Sequence, residues 1–285
     1  MAQTCYRHPN RETGVSCSSC GRPICPECMT PTPVGMRCPE CMNQRTRVVV
    51  NPTGTPGGGR LGAFGAFPAT MVLIAINVIV YLVEIAKGGG GLGELSGQVI
   101  YEMGGLFGPS VQEGDWWRIV TSGFVHVSII HIGLNMFLLF VMGRLLEPAI
   151  GTLRFVFLYF ACLLAGSFLA LAFSPNSLSA GASGAIFGVL GAVFVIARGR
   201  KLDAIAGEIG FLIIFNLIFT FAAARISVGA HVGGLIAGVL CGLLIVAGEQ
   251  GRYGRDLSRN ARLAVELGSM TVIGILSFIL ALAVA

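Results

Sequence analysis

Apolar residues gather in seven long runs, at about 69–86, 129–146, 154–173, 183–197, 209–224, 230–247 and 268–284. Runs of about 20 residues match the ~30 Å hydrocarbon core of a bilayer. In lipid a single segment satisfies its own peptide groups only as a helix. The pattern therefore predicts an all-α polytopic membrane protein with seven helices. Before the first run the chain changes character. Residues 1–47 are polar and hold seven of the nine cysteines. Residues 48–67, VVVNPTGTPGGGRLGAFGAF, read as a flexible linker. No cleavable signal peptide is expected, because the opening residues lack a basic, apolar and small-residue succession. No period of the kind that builds solenoids is found.

Composition agrees with the pattern. Hydrophobic residues make up 54% and charged residues 12%, about half the ~25% charge of soluble domains, and the mean hydropathy is +0.79. The net charge of +5 is small, but its placement is informative. With a cytoplasmic N-terminus, all of the 19 Lys and Arg residues except Lys87, Arg118 and Arg225 fall on the inner side. The expectation is thus a multi-pass cell-membrane protein with its N-terminus inside. No basic cluster interleaved with aromatics points to nucleic acid.

The fourth run is short. From Ser183 to Ala197, before the basic stretch Arg198–Lys201, a helix covers ~21 Å at ~1.5 Å per residue. Anchored at its inner end, it starts below the outer surface. His231 lies ~24 Å along a helix from Ala247 by the same measure. Ser183 and His231 are therefore expected at similar depth.

Polar residues in such segments are costly and point to function. His131 and Asn135, four apart in the second run, share one helix face. Ser183 stands in the fourth run, within GASGAIFG, and His231 in the sixth, within GAHVGGLIAG. A packing role competes with chemistry here. Gly184/Gly188 and Gly234/Gly238 are two GxxxG pairs that let helices approach closely, and Ser183 could be one more small residue. The GxSG pattern alone decides nothing, since the serine-hydrolase elbow follows a strand and none is expected. A transporter would also carry broken helices and polar midplane groups. Against it, no inverted repeat is visible, and Glu84 and Glu147 lie near span ends.

Taken together, the motifs resemble the rhomboid family of intramembrane serine proteases over roughly residues 68–248. The resemblance rests on Trp117-Arg118, His126-x4-His131-x3-Asn135, Gly143-x3-Glu147-x3-Gly151, Gly181-x-Ser183-Gly184 and Ala230-His231-x2-Gly234-x3-Gly238. It implies a six-helix protease core whose active site opens to the extracytoplasmic side through a water-filled cavity. It further implies Ser183 as nucleophile and His231 as base, with no carboxylate and no catalytic cofactor. His131, the Asn135 amide and the Ser183 N–H would stabilise the oxyanion. Substrates would be membrane proteins with a transmembrane helix, cut in or beside the bilayer. The alternative is a catalytically inactive rhomboid-like protein that binds such segments; loss of Ser183 or His231 would mark it, and both are present. Phe187 stands where family members often carry tyrosine stacked on the histidine, which keeps the stacking face but leaves His231 less constrained. His126 and Glu147 match structural positions of the family, and Trp117 suits an interfacial anchor. Residues 249–285 add a basic linker and a seventh helix to the core.

The N-terminal region reads Cys5-x2-His8-x8-Cys17-x2-Cys20-x4-Cys25-x2-Cys28-x9-Cys38-x2-Cys41. Four pairs of two-residue spacing supply eight ligands, enough for two tetrahedral zinc ions. A cytoplasmic, reducing location disfavours disulfides. Residues 1–47 are thus expected to fold around two structural zinc ions and to bind a cytoplasmic protein partner. The spacing resembles a B-box-type zinc finger. That resemblance implies interleaved sites, Cys5/His8/Cys25/Cys28 and Cys17/Cys20/Cys38/Cys41; a sequential pairing is also open.

Overall fold

The computed structural model describes residues 3–32, 35–43, 67–88, 93–222, 226–253 and 257–285. The expected linker at 48–67 lies outside the described residues except for Phe67, as do Arg45, Arg47, Arg60, Arg225 and Arg255 of the charge pattern. The chain divides into two units, Met1–Gly58 and Gly59–Ala285.

In the first unit, β1 (Gln3–Thr4) pairs antiparallel with β2 (Glu12–Thr13), and β3 (Thr30–Thr32) with β4 (Gly35–Arg37). A one-turn helix follows at Pro39–Asn43. Strands of two or three residues do not hold themselves together. The buried cluster consists of Ile24 and the cysteines 5, 17, 25, 28, 38 and 41, with Tyr6 and Met29 against it. So small an apolar interior needs a staple of another kind.

The second unit is helical. Its long elements are α1 (Pro68–Ala86), α2 (Ile129–Ile150), α3 (Thr152–Phe173), α4 (Ser183–Gly199), α5 (Asp203–Ala222), α6 (Val228–Glu249) and α7 (Arg259–Val284). Six of them contain one apolar run each, and α5 covers the run at 209–224 up to Ala222, beyond which residues 223–225 lie outside the described residues. Six are long and apolar enough to cross a membrane, while α4 has 17 residues. The protein is therefore an all-α multi-pass membrane protein with a small Cys/His-rich unit at its N-terminal end. Two helices begin earlier than apolarity predicts. α5 starts at Asp203 and α7 at Arg259, because polar residues continue a helix as readily as apolar ones where lipid is not the solvent. Glu266, which precedes the apolar run at 268–284, therefore lies inside α7, where it is fully buried. It pairs with Arg154 of α3.

The helix ends have local causes. Ser128, Ser227 and Ser258 cap α2, α6 and α7, each hydroxyl accepting the N–H three residues on. At α1 the cap comes from elsewhere. The Glu147 carboxylate accepts the N–H groups of Ala69 and Thr70 and the hydroxyls of Thr70 and Thr152. One buried side chain of α2 thereby fixes the starts of both α1 and α3.

α4 is the centre of the unit, in contact with α2, α3, α5 and α6. α1 lies on α2 and α3, and α7 on α3 and α6. Between α1 and α2 run three short helices, Gly97–Glu102, Gly108–Gln112 and Arg118–Thr121. They are organised by buried Arg118, which donates to Asp115 and to the carbonyls of Tyr101 and Gly105, under the Tyr101 and Trp117 rings. Such charge-assisted bonds explain an arginine in this segment without a catalytic role.

Candidate active site

The loop that enters α4 is held from the segment between α1 and α2. Leu106 and Ser179 exchange N–H···O bonds of 2.8 and 2.9 Å, the Gly108 N–H donates to Pro175 O, and the Gly181 N–H donates to Ser122 O. Gly181 has φ +132°, and a Cβ there would lie 2.6 Å from His131 Cε1. Only glycine fits between the His131 ring and the start of α4. Ser183 is the first residue of α4. Unlike the serines at the starts of α2, α6 and α7, no side chain caps this helix. The Ser183 hydroxyl instead faces His231.

His231 is brought to it by the crossing of α4 and α6. A Cβ on Gly234 would lie 1.8 Å from the Gly184 carbonyl oxygen, and one on Gly238 would lie 1.9 Å from that of Gly188. The two GxxxG pairs thus pack backbone against backbone. At that crossing Ser183 Oγ and His231 Nε2 are 2.8 Å apart, within hydrogen-bond distance. Phe187, one turn along α4, stacks on the imidazole with ring centroids 4.1 Å apart and planes 17° apart. The other ring nitrogen, Nδ1, lies 2.7 Å from Thr220 Oγ1 of α5. Thr220 was not among the residues expected from the sequence. His231 is thereby more constrained than Phe187 alone predicts. His231 is buried and Ser183 half-buried.

His131 and Asn135 lie on α2 as their spacing requires. His131 Nε2 is 2.9 Å, and Ser183 Oγ 3.7 Å, from the point a Gly181 Cβ would occupy, so these groups line one small space. Asn135 is buried and donates one amide hydrogen to the His131 carbonyl of its own helix at 2.8 Å. Its second amide hydrogen is left for another acceptor. His126 is fully buried; its N–H donates to the Glu84 carboxylate and its ring sits 5.2 Å from that of His131. A groove of about 880 Å³ between α6 and α7, lined by leucines and Arg252, contains none of the predicted site residues.

The first unit holds two groups that could bind metal ions, Cys5/His8/Cys25/Cys28 and Cys17/Cys20/Cys38/Cys41, the ligand atoms of each within 4.8 Å of one another. The arrangement is interleaved. Nδ1 of His8 lies 3.3, 3.4 and 3.9 Å from the sulfurs of Cys25, Cys28 and Cys5, and the Cys20 and Cys38 sulfurs are 3.8 Å apart. Tetrahedral zinc with Zn–S of about 2.3 Å and Zn–N of about 2.0 Å requires separations of about 3.5 to 3.8 Å, so the donor sets fit. Their protonation points the same way. The Cys38 N–H, first among several donors, holds the Cys17 thiol down to about 6. Hydrogen bonds to the crowding Cys38 and Cys20 sulfurs push Cys41 up to about 12. One thiolate forms easily and the last resists, which is the situation a divalent cation relieves.

Comparison with known proteins gives one consistent family. The Rhomboid domain matches residues 113–248. The chain is 32% identical over 191 residues to Rhomboid protease GluP of Bacillus subtilis (strain 168), covering 66% of this chain and 37% of that protein. Rhomboid-like protease 1 of Toxoplasma gondii is 32% identical over 51% of this chain and 53% of its own length. YdcA of Bacillus subtilis (strain 168), also named for the rhomboid proteases, is 30% identical over 50% of this chain and 74% of its own length. The chain thus spans little more than a third of the length of GluP, about half of Rhomboid-like protease 1 and three quarters of YdcA.

Proposed function

The chain belongs to the rhomboid family, and we propose that it is an intramembrane serine endopeptidase working through a Ser183–His231 dyad. The observation that carries this reading is the 2.8 Å bond between Ser183 Oγ and His231 Nε2 at the α4–α6 crossing. Serine is a weak nucleophile until a neighbouring base takes its proton. In the proposed reaction Ser183 Oγ attacks the scissile carbonyl while His231 Nε2 accepts the hydroxyl proton. The tetrahedral intermediate collapses as His231 returns that proton to the leaving amine. Water, deprotonated in turn by His231, attacks the acyl carbonyl, and His231 returns that proton to the departing Ser183 Oγ as the carboxylic acid is released. The oxyanion would be met by His131, by the second amide hydrogen of Asn135 and by the Ser183 N–H. The uncapped start of α4 supports this assignment, because its first N–H groups and the helix dipole both favour negative charge.

The substrates of this reading are membrane proteins with a transmembrane helix, cut in or next to the bilayer. The positive-inside pattern supports a cytoplasmic N-terminus and a dyad nearer the outer face. The metal groups are assigned to two structural zinc ions, held by Cys5, His8, Cys25 and Cys28 and by Cys17, Cys20, Cys38 and Cys41. When bound, zinc supplies the charge that keeps the crowded sulfurs deprotonated and the fold that a seven-residue interior does not. The zinc unit is proposed to dock a cytoplasmic protein.

The test is cleavage of a model transmembrane substrate in liposomes by purified protein. Wild type is expected to cut, and Ser183→Ala and His231→Ala to be inactive while still folded. Full activity of Ser183→Ala would overturn the proposal.

A further inference from the structure

The Phe187 ring restrains the plane of the His231 imidazole, but a stacked ring does not sense which nitrogen carries the proton. Nothing in the dyad itself decides that, and an imidazole protonated on Nε2 is unable to accept the serine proton. Thr220 supplies the missing instruction. It is 2% exposed, on a helix whose other residues largely face outward, such as Ile214, Ile218 and Phe221 at 60, 64 and 67% exposure. Its Oγ1 lies 2.7 Å from the Asn216 carbonyl oxygen one turn back and 2.7 Å from His231 Nδ1.

A threonine hydroxyl has one hydrogen and two lone pairs, and a carbonyl oxygen accepts only. The hydrogen therefore goes to Asn216 O, and Oγ1 presents a lone pair to Nδ1. The neutral imidazole must then carry its proton on Nδ1, where it donates to Thr220. That leaves the Nε2 lone pair 2.8 Å from Ser183 Oγ. The opposite arrangement turns the Thr220 proton to Nδ1, sets two oxygen lone pairs against each other at 2.7 Å and points an N–H at the nucleophile. Resting on the dyad reading above, we propose that Thr220 is a positioning residue that fixes the tautomer of His231 as the Nδ1–H form. The same bond becomes charge-assisted when His231 takes the serine proton, and so tightens toward the transition state.

The experiment uses the full chain in detergent with ¹⁵N-histidine labelling, the His231 signals being assigned by their loss in His231→Asn. Wild type is expected to show a protonated Nδ1 and an unprotonated Nε2. A fluorophosphonate reports the reactivity of Ser183. Thr220→Val, which keeps shape and deletes the hydroxyl, should slow labelling at least about 10-fold, the lower end for one lost hydrogen bond to a group that becomes charged, and give mixed tautomers. Thr220→Ser should keep both the rate and the Nδ1–H form. An Nε2–H tautomer in wild type would overturn the assignment, as would a folded Thr220→Val that labels at the wild-type rate with its tautomer unchanged. Should Thr220→Val fail to fold, the wild-type and Thr220→Ser spectra still decide. A wild-type protein that is not labelled at all would count against the protease reading, while the tautomer spectrum would still decide for or against Thr220 on its own.

Discussion

A hydroxyl hydrogen-bonded to an imidazole gives up its proton only as fast as the negative charge beyond it is received. His131 and Asn135 are the side chains available for that charge, and donors of this kind act mainly in the transition state. His131→Ala and Asn135→Ala are therefore each expected to lower kcat by about 10²–10³ with little change in KM. Steady-state cleavage of a transmembrane substrate measures both constants, and an unchanged kcat in both variants would remove the oxyanion assignment. The residues around Ser183 stand out in the sequence because polar side chains in apolar runs are few and costly. Thr220 does not stand out. A threonine that bonds back to its own helix is common in a span, and its contact with His231 exists only through the packing of α5 beside α6. Glu266 was hidden for a different reason. It precedes the apolar run at 268–284, so apolarity alone places it outside the helix that contains it.

The geometry of the dyad is a property of two helices before it is a property of two side chains. Ser183 precedes Gly184 by one position and His231 precedes Gly234 by three, so the close approach of α4 and α6 sets the Oγ–Nε2 distance. Gly238→Val would force a branched side chain onto the Gly188 carbonyl, where even a Cβ lies 1.9 Å away. Overpacking of this kind costs about 1–3 kcal/mol or more. The expected result is a lower thermal unfolding midpoint in detergent together with lost cleavage, although residue 238 is two turns from His231. Glu147 acts on different elements. Glu147→Ala leaves two N–H groups at the start of α1 and two hydroxyls without their shared acceptor. A loss of at least about 2 kcal/mol is expected, since hydrogen bonds to a charged group are worth about 1.5–3 kcal/mol. Denaturant titration of the helical signal would check it. The seven helices were readable because lipid demands long apolar runs. Their order of packing was only partly so: the GxxxG pairs announce the α4–α6 contact, while α7 is tied to α3 by the Arg154–Glu266 pair and to the segment between α1 and α2 by the Trp116–Phe278 ring contact.

At the scale of the whole chain, two kinds of folding principle sit on one polypeptide. Helices in lipid are held by packing, whereas the first unit has little besides sulfur to hold it. Elemental analysis of purified protein is expected to give two zinc ions per chain, and removal of zinc by a strong chelator should expose the cysteines of residues 1–47 to alkylation. Acid should release the metal as well, because the proton competes for each thiolate. A metal content near zero would contradict the assignment. The candidate metal ligands were legible from their spacing, but their grouping was not, since two-residue spacings are equally compatible with sequential and interleaved sites; the interleaved groups come together through bonds between distant residues, such as the Tyr6 N–H to Pro23 O and the Ser18 N–H to Met36 O. The charge distribution further predicts that a reporter fused after α7 and active only in the cytoplasm stays silent, and a bright signal would mean that α7 does not cross.

The central claim, that Ser183 is a nucleophile activated by His231, is tested most directly by covalent capture. Purified protein is treated with a fluorophosphonate and the adduct located by peptide mass mapping. The account predicts one adduct per chain, on Ser183, absent from Ser183→Ala and strongly reduced in His231→Ala. An adduct on another residue, or cleavage that continues while Ser183 stays unmodified, would contradict it.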